Sequence, residues 1–304
     1  MSAPGRLPDF VIIGAAKAGT TTLHAHLARH PRIAMAHSDD PGVRDKEPAF
    51  FDPAVNWGRG VDWYRSLWSR AGPDQLCGEA TTNYTRHPQV EGVAARMAAL
   101  VPRARLIYLM RHPVERAYSH YVHRWTRELH PGEPFTESFE SFVRHDPMCL
   151  DGSDYRLQIE QFLAHYPREQ LLLLRLDDLE RDPRALVDRA LAFLGLETGA
   201  DLAPDEAGVR NPGGVSEKVL RKNALGRLRR LPGVAPLVRS AVPRPWRDRA
   251  WRALRSTPWG QGLRAAYVPP PMGAEARAAL LERYRPSNAW LRDEFGVDTS
   301  SWER

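Results

Sequence analysis

Residues 10–29, FVIIGAAKAGTTTLHAHLAR, decide the fold of this chain. Residues 10–13 are a short apolar run rich in β-branched side chains, a pattern typical of a buried parallel strand. Residues 14–19 form a loop of small side chains that contains Lys17. The threonines that follow open a helix, which is predicted to end before Pro31 because proline cannot continue a helix. The stretch therefore predicts a strand, a tight loop and a helix in succession.

The start of this helix is suited to binding an anion. Its first turn leaves backbone N–H groups without partners, and the helix dipole favours negative charge there. Hydroxyl donors come from Thr20, Thr21 and Thr22. In the nucleotide P-loop pattern, G-x-x-x-x-G-K-[ST], a lysine stands where this chain has Thr20, although the glycines are correctly spaced. The sequence therefore predicts a P-loop-like core in which Lys17 approaches a phosphate from inside the loop.

The rest of the chain alternates strands with helices. This alternation predicts an α/β fold of one domain, residues 8–302, with a central parallel sheet flanked by helices and a helical C-terminal elaboration. The further strands are predicted at 75–80, 105–110 and 171–176. The further helices are predicted at 62–69, 90–100, 114–126, 135–144, 155–166, 182–194, 216–230, 247–255, 274–284 and 287–295.

Composition indicates a globular protein in a reducing compartment. The chain has 304 residues and two cysteines, Cys77 and Cys149. A disulfide framework is therefore not expected, and we expect a cytoplasmic location. The N-terminus lacks the apolar segment of a signal peptide, and no apolar run approaches the ~20 residues of a membrane span. Two of the histidines, His120 and His123, are only three residues apart, and no third ligand at metal-binding spacing accompanies them, so no metal is expected.

The net charge of +6 is unevenly distributed. Residues 210–264 contain fourteen Lys or Arg against two Asp or Glu. Such a stretch could serve an anionic nucleotide, an acidic acceptor or a membrane surface, or it could be a set of solvated helix faces. No nucleic-acid-binding motif accompanies the charge, so no nucleic-acid partner is expected.

Three polar residues follow predicted strands. Lys17, Glu79 and Arg111 each come near the end of an apolar run. Ligands of open parallel sheets bind beyond the carboxyl ends of the strands. We therefore expect these three side chains to project from one rim of the sheet.

A second motif contains Arg111 and Ser119. Residues 106–121, LIYLMRHPVERAYSHY, place the arginine after a strand and the serine eight residues later in the next helix. An arginine presents a fork of donors suited to phosphate, and the serine can donate to the same group. With KAGTTT at 17–22, this motif strongly resembles sulfotransferases that use 3′-phosphoadenosine 5′-phosphosulfate (PAPS). In that family the first motif is the 5′-phosphosulfate loop and the second binds the 3′-phosphate.

Other stretches extend the resemblance over most of residues 8–302. They are similar to segments of bacterial sulfotransferases related to the heparan sulfate and carbohydrate type. The two motifs above are diagnostic, and the further segments are supportive. The further segments are KEPAFF at 46–51, GEATTNY at 78–84, LRLDDLERDP at 174–183 and LERYRPSNAWL at 281–291.

The resemblance implies transfer of a sulfonate from PAPS to an acceptor hydroxyl, leaving 3′,5′-bisphosphoadenosine, without a metal. It implies that Glu47 is the base, that Lys17 stabilises the leaving phosphate and that Lys46 assists at the sulfonate. Arg111 and Ser119 would bind the 3′-phosphate. The 5′-phosphate would be held by Lys17, Ala18, Gly19, Thr20, Thr21 and Thr22. Substrate contacts are expected from Glu79, Thr81 and Thr82.

Several alternatives remain open from the sequence. The chain could be a P-loop-type small-molecule kinase, or a non-catalytic nucleotide- or glycan-binding module. Glu47 could be a loop carboxylate paired with Lys46 or Arg44, and Glu79 could be structural. The aromatic stretch 57–68 could line a ligand cleft or pack on the core.

The acceptor is not specified by the sequence. The acceptor is expected to be a small molecule or a glycan. Its hydroxyl is expected to belong to a carbohydrate, a glycolipid or a secondary metabolite. Arg210 or Lys218 could reach the 3′-phosphate from a late loop, although the family's common Lys-Gly-Arg form is missing there. No sequence feature specifies the oligomeric state.

Overall fold

A parallel sheet forms the centre of this computed structural model, which describes residues 5–43, 46–130, 133–199, 257 and 267–304. In that part of the chain the sheet has five strands in the order β2-β3-β1-β4-β5, and every neighbouring pair is parallel. The predicted parallel α/β fold is confirmed. The strands are β1 (Phe10–Gly14), β2 (Ile33–Met35), β3 (Leu76–Ala80), β4 (Arg105–Met110) and β5 (Leu171–Arg175).

Helices connect and cover the strands. The α-helices are α1 (Thr20–Leu27), α2 (Gly60–Ser66), α3 (Val93–Leu100), α4 (Pro113–His123), α5 (Phe139–Phe142), α6 (Met148–Asp151), α7 (Tyr155–Leu163), α8 (Leu176–Arg181), α9 (Pro183–Leu194) and α10 (Ala274–Phe295). A π-helical turn, Arg124–Leu129, follows α4. Short 3₁₀ turns lie at Trp57–Arg59, Thr82–Tyr84, Arg168–Gln170 and Ser300–Glu303. None of the helices in the described ranges is long and apolar enough to cross a membrane.

Both faces of the sheet are buried. Along β1, Val11 and Ile13 pack into one hydrophobic cluster, whereas Phe10 and Ile12 pack into another. Successive side chains of a strand point to opposite faces, so an uninterrupted apolar run is what a sheet covered on both sides requires. Each such side chain contributes about 1.5–3 kcal/mol by its removal from water.

The described residues fall into two compact units. The first contains the sheet and is formed by residues 5–43, 46–117, 147–199 and 278–304. The second contains residues 118–130, 133–146, 257 and 267–277. Within the second unit, Tyr121 donates a hydrogen bond to the Glu137 carbonyl (2.6 Å), and the Gly273 N–H donates to Glu140 (2.7 Å). The prediction of one domain over 8–302 stays a prediction.

Several element boundaries differ from expectation. The strand β2 was not predicted, because three residues are too short for a periodic signal. The helix predicted at 135–144 is reduced to α5, and the helix predicted at 182–194 is preceded by α8. The predicted basic helices at 216–230 and 247–255, together with Arg210 and Lys218, lie outside the described residues.

The predicted break between two C-terminal helices is wrong. A proline inside a helix costs about 3 kcal/mol because it removes one backbone hydrogen bond and crowds the preceding turn. Nevertheless α10 continues through Pro286. Tyr284 before the proline is fully buried and donates to the Leu150 carbonyl (3.0 Å), and Ser287 after it accepts from the Arg156 N–H (2.9 Å). Packing and hydrogen bonds on both sides of the proline therefore hold the helix together.

Candidate active site

The loop between β1 and α1 has a constrained backbone. Lys17 has a φ of 72° and Gly19 a φ of 91°, both in the left-handed region. The left-handed φ favours glycine at position 19, and a Cβ atom there would lie 2.7 Å from a terminal methyl of Leu176, which would have to move. For Lys17 this conformation costs roughly 1–2 kcal/mol. Such strain persists only where the surrounding structure determines the backbone, which is common in binding loops.

The lysine of the KEP segment contacts both the start of α1 and the glutamate that follows it. The Lys46 ammonium donates to Thr20 Oγ1 (3.2 Å), to Thr21 Oγ1 (3.0 Å) and to Glu47 Oε1 (3.1 Å). Thr82 Oγ1 lies 3.4 Å from the same carboxylate oxygen. Residues more than twenty positions apart in sequence are thus brought together at one point by the fold. The side chains of Lys46 and Glu47 remain 19% and 24% exposed, so a ligand can reach them.

Lys17, Ala18 and Gly19 lie in the loop, as predicted. Lys17 is half-buried, and Ala18 is fully buried, its N–H donating to the Ala15 carbonyl (3.2 Å). The Ala15 N–H donates to the Leu109 carbonyl of β4 (2.8 Å), which ties the loop to the sheet. Thr20 and Thr22 are buried in α1. Backbone hydrogen bonds therefore hold the loop in place immediately before α1 begins.

Arg111 is the first residue after β4 and is half-buried. Its backbone is held by the Tyr155 hydroxyl, which accepts from the Arg111 N–H (3.0 Å) and donates to the Arg111 carbonyl (2.5 Å). Trp302 packs against the Tyr155 ring. Ser119 lies on α4 and is buried, in the second unit. Their joint role at a 3′-phosphate stays a prediction.

Sequence reasoning missed Arg116. Its guanidinium is 1% exposed and donates to the Ala16 carbonyl of the loop (3.4 Å), to Ser153 Oγ (2.5 Å) and to the Cys149 carbonyl (2.6 Å). An arginine among the buried apolar positions of α4 is the signal that could have found it, because a buried charge needs several acceptors. Arg116 thereby links the loop between β1 and α1 to residues 149 and 153.

Glu79 differs from expectation in its position. It lies within β3 rather than after it, and its side chain is fully buried, so the expectation that it projects from the rim beside Lys17 and Arg111 is wrong. Tyr64 and Tyr84 donate hydrogen bonds to Glu79 Oε1 at 2.8 and 2.9 Å, and Thr81 donates to Oε2 at 3.3 Å. Burial raises the pKa of Glu79 to about 7, and the hydroxyl donors partly oppose this rise.

The predicted substrate contacts occupy different environments. Thr81 is 1% exposed, with its hydroxyl bonded to Glu79, whereas Thr82 is 8% exposed and lies beside Glu47. The aromatic stretch 57–68 mostly packs on the core through Tyr64 and Trp68, with Trp57 left partly exposed. Arg44, a possible partner of Glu47, lies outside the described residues. No group of three or more potential metal ligands occurs within the part of the chain that the structure describes.

A model of the sulfotransferase domain family matches residues 7–211. The chain belongs to this family. Similar relatives are the bifunctional heparan sulfate N-deacetylase/N-sulfotransferases 3 and 2 of Homo sapiens. They are 33% and 31% identical over 205 and 207 residues, which cover 63% of this chain in each case. The matched part spans only 22% of the length of each relative.

The fold is also similar to that of a solved sulfotransferase. The crystal structure of a sulfotransferase from Alicyclobacillus acidocaldarius superimposes with a TM-score of 0.61, covering 98% of this chain and 100% of that chain at 22% identity. At this identity the likeness shows the fold alone. The resemblance to the sulfotransferase family and the P-loop-like α/β core that the sequence predicted are both confirmed.

Proposed function

We propose that this chain transfers a sulfonate group from PAPS to a hydroxyl or amine of an acceptor. The observation that carries the proposal is the position of the Lys46 ammonium. It bonds at once to the threonine hydroxyls at the start of α1 and to the Glu47 carboxylate. An anion-binding helix start and a candidate base are thus within reach of one cation, which is the arrangement that transfer from a phosphosulfate requires.

The donor set fits the 5′ end of PAPS. Thr20 and Thr21 offer hydroxyls at the start of α1, where the helix dipole favours an anion. Lys46 supplies positive charge beside these hydroxyls, and Lys17 lies in the loop that precedes them. We assign the 5′-phosphosulfate to this loop, from Lys17 to Thr22, and the 3′-phosphate to Arg111 and Ser119.

The reaction needs a base and a cation. When bound, PAPS supplies an activated sulfonate. Glu47 takes the proton from the acceptor as the acceptor oxygen or nitrogen bonds to sulfur. Lys17 neutralises the charge that develops on the departing 5′-phosphate, and Lys46 holds the transferring group close to Glu47. Positioning of the two reactants contributes the rest of the acceleration.

We propose a glycan as the acceptor class, in a cytoplasmic enzyme. The support for a glycan is the similarity to relatives named for N-sulfotransfer to heparan sulfate. Thr82 beside Glu47 is the best placed of the three predicted substrate residues, and the roles of Glu79 and Thr81 as substrate contacts stay predictions. Cys77 and Cys149 are buried thiols, in agreement with a reducing compartment.

The test uses labelled PAPS with a panel of glycans, lipids and phenols. We expect the wild-type protein to label a glycan, and Lys17→Ala and Glu47→Ala each to lower kcat about 100-fold or more, because each removes a group acting in the transition state. Glu180→Ala, at an exposed position of α8, is the matched control and should keep wild-type turnover. Wild-type turnover in either site variant would remove the role assigned to that residue.

A further inference from the structure

The backbone of residues 46–51, which we call the base segment, is hydrogen-bonded to two side-chain hydroxyls. The Ala49 N–H donates to Thr81 Oγ1 (3.1 Å), and the Phe51 N–H donates to the Tyr84 hydroxyl (3.3 Å). Both bonds are buried. They fix the backbone two and four residues beyond Glu47, so they set the direction in which the segment leaves the candidate base.

The same two hydroxyls converge on Glu79. Tyr84 donates to Oε1 (2.9 Å) and Thr81 donates to Oε2 (3.3 Å). A hydroxyl has one proton, and an ionised carboxylate can only accept. When Glu79 is ionised, both hydroxyl protons are therefore directed to it, and the hydroxyl lone pairs are left for the N–H groups of Ala49 and Phe51.

The base segment needs this support because its backbone is strained. Ala49 has a φ of 48°, a left-handed conformation that an alanine rarely adopts. This conformation persists only where the surroundings determine it. The Ala49 N–H bond to Thr81 acts on the strained residue itself, and the Ala80 N–H donates to the Lys46 carbonyl at the start of the segment (3.2 Å).

We propose that Thr81 and Tyr84 are positioning residues for the base. The buried carboxylate of Glu79 orients their hydroxyls, and these hold the base segment so that Glu47 faces the start of α1. This inference rests on the proposed function, because it takes Glu47 as the base. It gives Thr81, Tyr84 and Glu79 roles that act through the base segment and need no contact with substrate.

Tyr64 provides a matched control within the same cluster. It also donates to Glu79 Oε1 (2.8 Å), and its ring stacks on Phe50 at 4.1 Å. Tyr64→Phe removes one bond to Glu79 and keeps the ring and the bonds of Thr81 and Tyr84 to the base segment. If the cluster were purely structural, the loss of any of its hydroxyls would change amide exchange and kcat to a similar extent. If the cluster positions the base, the loss of the Thr81 or Tyr84 hydroxyl should change them more than the loss of the Tyr64 hydroxyl.

The first experiment measures amide hydrogen exchange in the apo protein. We expect the amides of Ala49 and Phe51 to exchange at least about tenfold faster in Thr81→Val and Tyr84→Phe, respectively, because each loses its acceptor. Thr81→Ser, which keeps the hydroxyl, and Tyr64→Phe should exchange as the wild type does. Equal exchange in Thr81→Val and Thr81→Ser would overturn the proposal, whether or not the protein is active.

The second experiment separates kcat from nucleotide binding. We expect Thr81→Val and Tyr84→Phe to lower kcat about 10- to 100-fold, because a small displacement of a catalytic group is costly, while the affinity for 3′,5′-bisphosphoadenosine stays unchanged. Thr81→Ser should recover most of the kcat that Thr81→Val loses, because it keeps the hydroxyl, and Tyr64→Phe should keep kcat within about threefold of the wild type. Equal kcat in all four variants would overturn the positioning role. A wild-type protein that transfers no sulfonate would instead overturn the proposed function, and the exchange experiment would still decide the positioning.

Discussion

At the scale of single residues, the adjacent residues Lys46 and Glu47 direct their opposite charges at different partners. Lys46 and Glu47 lie side by side, with the ammonium directed at the threonine hydroxyls and the carboxylate at Lys46 and Thr82. Glu79 is removed from solvent entirely. The carboxylate that we propose as the base is thus partly exposed, whereas the carboxylate that we propose to orient other groups is enclosed.

The stability of the protein should depend on pH through Glu79. Because burial raises the folded-state pKa from 4.5 to about 7, the folded state binds more protons than the unfolded state in this window. The free energy of unfolding therefore falls as pH rises from about 4.5 to about 7, by up to about 3 kcal/mol. The Glu79→Gln variant should lack this part of the pH dependence of the free energy of unfolding, as measured by urea unfolding at pH 5, 6 and 8.

The comparison between the two proteins removes the contribution of other titrating groups. The unfolding free energy of the wild type minus that of Glu79→Gln should decrease from pH 5 to pH 8. Parallel pH profiles for the two proteins would contradict the raised pKa.

At the scale of elements, the join between the loop and α1 is set by glycine. Gly19 is the N-cap of α1 in a left-handed conformation, and a Cβ there would press on the terminal methyls of two leucines of α8. The sequence pattern predicted the loop and the helix start, because glycine spacing and hydroxyl residues are local signals. It could not predict that Leu176 closes the space over Gly19, because that contact joins elements far apart in the chain.

Substitution of Gly19 should weaken both the fold and the anion site. We expect Gly19→Ala to lower the free energy of unfolding by about 1–3 kcal/mol, since the left-handed φ and the contact with Leu176 both oppose a Cβ. The affinity for 3′,5′-bisphosphoadenosine should fall as well, because the first turn of α1 must shift. Gly58→Ala is the matched control, since a Cβ there meets no atom within 4 Å. Equal stability of the two variants in urea unfolding would contradict the steric argument.

At the scale of the whole molecule, the proposed site predicts a ligand preference. We expect 3′,5′-bisphosphoadenosine to raise the Tm without Mg²⁺, whereas Mg·ATP should do little. A ligand at 100 times its Kd stabilises the folded state by about 2.7 kcal/mol, which a thermal-shift titration detects readily. Stronger stabilisation by Mg·ATP would favour the kinase alternative, and the Lys17→Ala variant should lose most of the nucleotide response.

Local patterns were enough to predict the loop between β1 and α1, strands β1, β3, β4 and β5, and the family, because glycine spacing and apolar runs act over short stretches of chain. Tertiary structure alone decided that Lys46 reaches Thr20 and Thr21, that Glu79 is enclosed by Tyr64, Tyr84 and Thr81, and that α10 passes through Pro286. These features depend on contacts between distant elements. Packing and burial determine such contacts, and neither can be read from the periodicity of one segment.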